Sequence, residues 1–190
     1  MNQSQRRFDA CIFDLDGTLA NTLHSIAHFG NATLKEFGLP PIPDEDYKAL
    51  VGNGADVLMR RMLRTVGAQF PEEKIRQFRA FYDRCYESDP MALVAPYPGI
   101  LETLQALKEQ GMQLGVLSNK PDNMAQYIVG DLFGGLIHQA HGQRAGIPTK
   151  PDPTAVLHMA ADFGVDPSRV LYVGDSGVDM QTGRNAGMHP

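Results

Sequence analysis

Between its first buried strand and its second, this sequence carries a long stretch whose apolar spacing is helical throughout. Phe8, Ala10, Cys11, Ile12 and Phe13 form a nearly continuous apolar run that ends in Asp14. That is how a buried parallel strand reads, with its polar chemistry held to the carboxyl end. Gly17 breaks the run, and Asn21 or Thr22 caps a helix through Leu23, Ile26, Ala27, Gly30, Leu34 and Phe37, stopped by Gly38. A short helix follows Asp44, and another runs from Ala55 to Val66. A third starts at Pro71 and sets Ile75, Phe78, Tyr82, Cys85 and Tyr86 on one side. No strand is expected here, and Pro90, Pro96, Pro98 and Gly99 make a stiff exit.

After that exit the pattern alternates. A helix from Ile100 to Gln110 leads to a strand, Met112 to Leu117, ending in Ser118-Asn119-Lys120, and Pro121 opens another helix. A weak strand is expected from Leu136 to Ala140, then a Gly/Pro-rich loop carrying Lys150 and a helix from Pro153 to Phe163. A strand at Val170–Val173 runs into Gly174-Asp175, with a last helix to Ala186. Alternating βα units imply an open, mostly parallel sheet. The expected fold is therefore α/β, a Rossmann-like core from residues 1–19 and 97–190 with an all-helical cap, 20–96, inserted after the first strand.

Composition narrows the function. At 190 residues and 43% hydrophobic the chain can bury a real core without a metal or disulfide to hold it. A formal charge of -5 argues against nucleic-acid or anionic-membrane partners. Two cysteines, Cys11 and Cys85, make no disulfide framework and fit a reducing compartment. No apolar run has the length of a membrane span, and Asp9, Asp14 and Asp16 interrupt any signal-peptide core after Arg6 and Arg7. A cytoplasmic protein, monomer or homodimer, is the expectation.

Polar chemistry gathers at the strand ends. In open α/β sheets ligands bind beyond the carboxyl ends of the strands. Here those positions hold Asp14-Leu15-Asp16-Gly17-Thr18, Ser118-Asn119-Lys120, Lys150, and Gly174-Asp175 with Asp179. Each alone has an ordinary explanation: a turn, a surface lysine, a helix cap. Together they are the inventory of phosphoryl transfer, so a small phosphorylated metabolite is the expected partner. Asp14, held rigidly at a strand end, suits an in-line nucleophile, and Asp16 a general acid and base. Mg²⁺ on Asp14 and Asp175 relieves the repulsion between carboxylates and phosphate. Lys150 and Ser118 orient the remaining oxygens, while Gly17 and Thr18 bring backbone donors and a hydroxyl to the phosphate.

With these motifs in order (DLDGT at 14–18, SN at 118–119, Lys150 and GDSGVD at 174–179) the chain resembles the haloacid dehalogenase superfamily of phosphatases. The resemblance implies a phosphoaspartate on Asp14 and catalytic roles for Asp14, Asp16 and Lys150. It implies Mg²⁺ on the Asp14 carboxylate, the Asp16 backbone carbonyl and Asp175, with Asp179 supporting the metal site. VGNGADVL at 51–58, SNKP at 118–121 and KPDP at 150–153 look similar to phosphoglycolate phosphatases. On that likeness Gly52-Asn53-Gly54 is a cap specificity loop, and Asn119 and Lys120 join Gly17, Thr18 and Ser118 in binding substrate. Related phosphoglucomutases usually place an arginine in the cap loop, where this chain has Ala55 and Asp56. A short acid such as 2-phosphoglycolate is expected to meet Lys120 and the loop donors. Sugar-phosphate mutase and nucleotidase activities are the alternatives within the superfamily, and a phospho-receiver domain the alternative outside it. Similar phosphatases continue past Gly187 into another core strand and helix, so a missing final strand and one bare sheet edge are expected.

Other features are assigned to packing or solvent. His24 and His28 lack an acidic or thiol partner at metal-binding spacing, and His138 and His141 fare no better. Arg60, Arg61 and Arg64 read as a solvated helix face, Cys11 as core, and Cys85 as a thiol without a nearby base.

Overall fold

Parallel strands pair in register, and the apolar runs do so around β1 (Ala10–Phe13). β1 lies between β4 (Gln113–Pro121) and β6 (Val170–Val173), with Ala10 level with Gln113 and Val170, and Phe13 level with Val116 and Val173. β5 (Gln139–Gln143) pairs in parallel outside β4, giving the order β5-β4-β1-β6. The chain runs outward from β1 to β4 and β5, then returns across β1 to β6. That reversal makes the carboxyl end of β1 a topological switch point, where open α/β sheets bind ligands. The computed structural model describes residues 7–190, so Arg6 lies outside the described residues.

The chain forms two compact units, one reaching Ala20 and resuming at Pro96, the other spanning Asn21–Ala95. In the first, helices α4 (Ile100–Glu109), α5 (Asp122–Phe133), α6 (Thr154–Asp162) and α7 (Gly177–Asn185) alternate with the strands. Ala155, Val156, Met159 and Ala160 of α6 join Ala10, Ile12, Leu117, Val170 and Tyr172 of the sheet in one buried cluster. Each large apolar side chain so buried contributes roughly 1.5–3 kcal/mol against exposure, enough to hold the strand ends still.

The other unit is built from α1 (Leu23–Glu36), a 3-10 segment at Asp44–Ala49, α2 (Ala55–Thr65) and α3 (Glu72–Ser88). Phe29 of α1 and Phe37, just past its end, meet Tyr86 and Phe78 of α3 with ring centroids 4.8 and 5.1 Å apart. Phe78, Tyr82 and Tyr86 are the buried side chains of α3, whereas Ile75 and Cys85 are only half-buried. The Asn31 carboxamide grips the Ile42 backbone by its N–H and its carbonyl, both at 2.9 Å. Among the described residues no helix is long and apolar enough to cross a membrane.

Local spacing misplaced several boundaries. The region expected to lack strands has short ones at the chain crossings, β2 (Ala20–Asn21) and β3 (Ala95–Pro96), which pair with each other. β4 does not stop at Leu117 but continues through Ser118, Asn119 and Lys120, its register shifting before Pro121 pairs with Gln143. β5 begins at Gln139 rather than Leu136, because Gly134–Leu136 tightens into a 3-10 turn. Both shifts have one cause: pairing partners come from distant sequence and admit polar residues that apolar periodicity cannot score. The edge of β6 expected to be bare is met at one point, where His189 donates to Val170 O at 3.0 Å and accepts from Tyr172 N at 2.7 Å.

Candidate active site

β1 delivers the first carboxylate. Asp14 continues the ladder, its N–H donating to Val173 O at 2.8 Å, and its Oδ1 accepts from Leu15 N at 2.7 Å. The chain then closes a tight turn in which Leu19 and Ala20 both donate to Leu15 O, at 3.1 and 3.0 Å. Gly17 sits in that turn at φ 85°, and a Cβ there would come within 2.5 Å of Asp175 Oδ2. Only glycine satisfies both demands, positive φ and close approach. The Thr18 hydroxyl donates to Asp175 Oδ1 at 3.3 Å, so the carboxyl ends of β1 and β6 are joined directly.

Lys150 is the electrostatic centre. It lies in the loop after β5, yet only 5% of it is exposed, and its Nζ is 2.8 Å from Asp14 Oδ1 and 2.7 Å from Asp179 Oδ1. A loop lysine stays so fixed because the Asn119 carboxamide holds its backbone: Nδ2 donates to Lys150 O at 3.2 Å and Oδ1 accepts from Lys150 N at 2.9 Å. Asn119, expected to bind substrate, thus has its carboxamide engaged in bracing Lys150. Burial alone would lower the Lys150 pKa, but Asp14, Tyr172 and Asp179 together raise it above the ordinary ammonium value, so the group is a permanent cation. Burial pushes the Asp14 carboxyl up to about 7, against the opposing pull of Lys150 and with Asp179 and Asp16 adding repulsion.

Asp179 is completely buried. Ser176 caps α7, and Asp179 closes a capping box with it: its Oδ2 accepts from Ser176 N at 3.1 Å and from the Ser176 hydroxyl. Its Oδ1 accepts from Lys150 and, at 3.4 Å, from the Tyr172 hydroxyl. Tyr172 has no place among the expected site residues; inside an apolar strand its polar tip was the only signal.

Asp16 has a separate environment. Its Oδ2 accepts from the Ser118 hydroxyl at 3.3 Å, and its Oδ1 faces Lys120 Nζ at 3.3 Å. The strand ends therefore bring together Asp14, Asp16, Gly17, Thr18, Ser118, Asn119, Lys120, Lys150, Asp175 and Asp179. Oxygens of Asp14, Asp175 and Asp179 lie within 4.8 Å of one another. Hard oxygen donors crowded in this way fit Mg²⁺ chemistry. Both Asp179 oxygens are already engaged, so Asp14 and Asp175 are the fitting direct ligands, with Asp179 behind them.

Gly52, Asn53 and Gly54 lie in the other unit, ahead of α2. Arg61, read from sequence as part of a solvated face, holds that loop: Nη1 donates to Leu50 O and Val51 O at 2.9 and 3.3 Å, and Nη2 donates to Asn53 Oδ1 at 2.8 Å. Arg60 instead pairs with exposed Glu72 at 2.8 Å, a contact worth little in water. His24 does have an acidic neighbour, Asp44 at 3.1 Å, on an exposed surface.

Comparison with known proteins agrees with this chemistry. Residues 11–190 match the family model described as haloacid dehalogenase-like hydrolase. The chain belongs to that family. It is 36% identical over 181 residues to the phosphoglycolate phosphatase of Haemophilus influenzae, covering 92% of this chain and 80% of the relative. It is 34% identical over 177 residues to the phosphoglycolate phosphatase of Aquifex aeolicus, covering 93% and 80%. A crystal structure of a predicted phosphoglycolate phosphatase from Haemophilus somnus superposes with a TM-score of 0.90 at 32% identity, over 97% of this chain and 84% of that one. The fold is thus that of the haloacid dehalogenase-like phosphatases, and the chain is a phosphatase of this family.

Proposed function

We propose that the chain is a Mg²⁺-dependent hydrolase of 2-phosphoglycolate, or of a closely similar small phosphomonoester, working through a phosphoaspartate. The observation that carries the mechanism is the separation of two carboxylates two residues apart: Asp14 is buried against Lys150, while Asp16 stands beside Ser118 and Lys120. Different environments suit different roles. Relatives named phosphoglycolate phosphatase at 34–36% identity support this choice of substrate.

In the first step an Asp14 carboxylate oxygen attacks phosphorus. An O–P bond forms, the ester P–O bond breaks, and Asp16 gives its proton to the departing oxygen. In the second step Asp16 takes a proton from water as that water attacks the phosphoaspartate, freeing phosphate and restoring Asp14. Lys150 holds Asp14 in line and places a fixed positive charge beside the phosphoryl oxygens. Mg²⁺, when bound by Asp14, Asp175 and the Asp16 backbone carbonyl, supplies the charge that offsets phosphate against the carboxylates.

The test is kcat/KM for 2-phosphoglycolate, hexose phosphates and nucleoside monophosphates, with and without Mg²⁺. 2-Phosphoglycolate is expected to rank first and activity to need the metal; a hexose phosphate or nucleotide ranking first overturns the substrate. Asp14→Asn is expected to lower kcat by roughly 10³-fold or more while the circular dichroism spectrum is kept. A folded variant retaining a few per cent of the activity removes Asp14 as nucleophile.

A further inference from the structure

We infer that Tyr172 is a positioning residue of this site, its hydroxyl taking the third hydrogen of the Lys150 ammonium so that Lys150 stays aimed at Asp14. The inference rests on the role proposed above for Asp14 as nucleophile. An ammonium has three donors. Lys150 Nζ gives one to Asp14 Oδ1 at 2.8 Å and one to Asp179 Oδ1 at 2.7 Å. Two acceptors leave the nitrogen free to swing about the line that joins them, and a third fixes it. The Tyr172 hydroxyl is that third partner, accepting from Lys150 and donating to Asp179 Oδ1 at 3.4 Å.

β6 carries Tyr172 to this place. It stands level with Ile12 of β1, and it and Val170 are completely buried, in one cluster with Ala155, Val156 and Met159 of α6. An aliphatic side chain would serve that cluster equally well, whereas a buried phenol brings an oxygen that must find partners. Burial raises the phenol above its ordinary pKa, so it is a neutral hydroxyl that can accept and donate at once. The same hydroxyl completes Asp179. An ionised carboxylate has about four acceptor positions. Those of Asp179 take the Ser176 N–H, the Ser176 hydroxyl, Lys150 Nζ and the Tyr172 hydroxyl. Asp179 is wholly buried, so a position vacated there is not refilled from bulk water. Deleting the phenolic oxygen therefore loosens Lys150 from two sides, directly and through Asp179.

The experiment uses Tyr172→Phe, which keeps the ring and removes only the oxygen. In metal-free protein with isotope-labelled lysine, NMR reads hydrogen exchange of the Lys150 ammonium, assigned by its loss in Lys150→Arg. That exchange is expected to be slow in wild type and about 10-fold faster in Tyr172→Phe. With Mg²⁺ and 2-phosphoglycolate, rapid-quench single turnovers are expected to show phosphoenzyme formation slowed about 10-fold, with KM kept within about twofold because Tyr172 does not touch the substrate. A rate constant does not depend on the folded fraction, so a merely structural loss leaves it unmoved. Unchanged ammonium exchange, or phosphoenzyme formation within about twofold of wild type, overturns the inference. Wild type that turns over without forming a phosphoenzyme overturns the role of Asp14 on which the inference rests, a failure distinct from the other two.

Discussion

Removal of the Asp179 carboxylate tests whether the site is held together as an ion-paired core. Its Oδ1 lies 2.7 Å from Lys150 Nζ, which at an effective dielectric of 20 is about 6 kcal/mol of gross attraction. Desolvation of both charges offsets most of that, yet deleting one partner of a buried pair still costs about 3–5 kcal/mol, because the other charge is stranded. Asp179→Ala also opens the capping box at Ser176, worth about 1 kcal/mol. A loss of roughly 4–6 kcal/mol is therefore expected, a large fraction of the 5–15 kcal/mol typical of a folded domain. Asp179→Asn keeps the shape but not the pattern. An amide that turns its oxygen to Lys150 turns its NH2 toward the Ser176 N–H, donor against donor, so about 3 kcal/mol is still lost. Urea unfolding at pH 7 with a chelator present reads both values without metal binding. If both variants lose less than about 1 kcal/mol, Lys150–Asp179 is not a buried structural pair and the account of how Lys150 is held is wrong.

Two further perturbations address the charge and the loop. Burial raises the Asp14 pKa to about 7 in the metal-free protein, above the unfolded value of about 3.9, so the folded state holds the extra proton between these values. Its contribution to stability is complete below about pH 4 and disappears as pH rises through 7. The Tm of metal-free wild type should accordingly fall relative to Asp14→Asn from pH 4.5 to 7.5, and a constant Tm difference across that range contradicts the shift. Arg61→Ala removes three hydrogen bonds from the Leu50–Asn53 loop. It should cost about 1–3 kcal/mol and speed amide exchange at residues 51–54, and unchanged exchange there would show that Arg61 does not hold the loop.

How much of this was legible in the sequence depended on the range of the forces involved. β1 and β6 could be read because each is an unbroken hydrophobic run, Ala10–Phe13 buried throughout and Val170–Val173 buried at alternate positions. β5 was legible only as a weak strand placed three residues early, because Gln139–Gln143 is a half-buried edge strand whose position is set by pairing with Gly115, Val116 and Leu117. The acids and Lys150 were recognisable from their place after strands, but Asn119 looked like a ligand and its carboxamide grips the Lys150 backbone instead. Arg61 looked solvated because its acceptors, eight to eleven residues earlier, are mostly backbone carbonyls that no side-chain pattern displays.

By itself, the sequence determined the alternation of strands and helices, the helical stretch after β1 and the set of reactive groups. Each of these follows from local periodicity, turn chemistry or short motifs. Only the tertiary structure decided which charge faces which. Asp14 and Asp16 stand two residues apart, yet one meets Lys150 and the other Lys120, because β4 and the loop after β5 bring a different lysine to each. Coulomb attraction and burial act across space, and contacts between residues more than a hundred positions apart exist only once the sheet has closed its register.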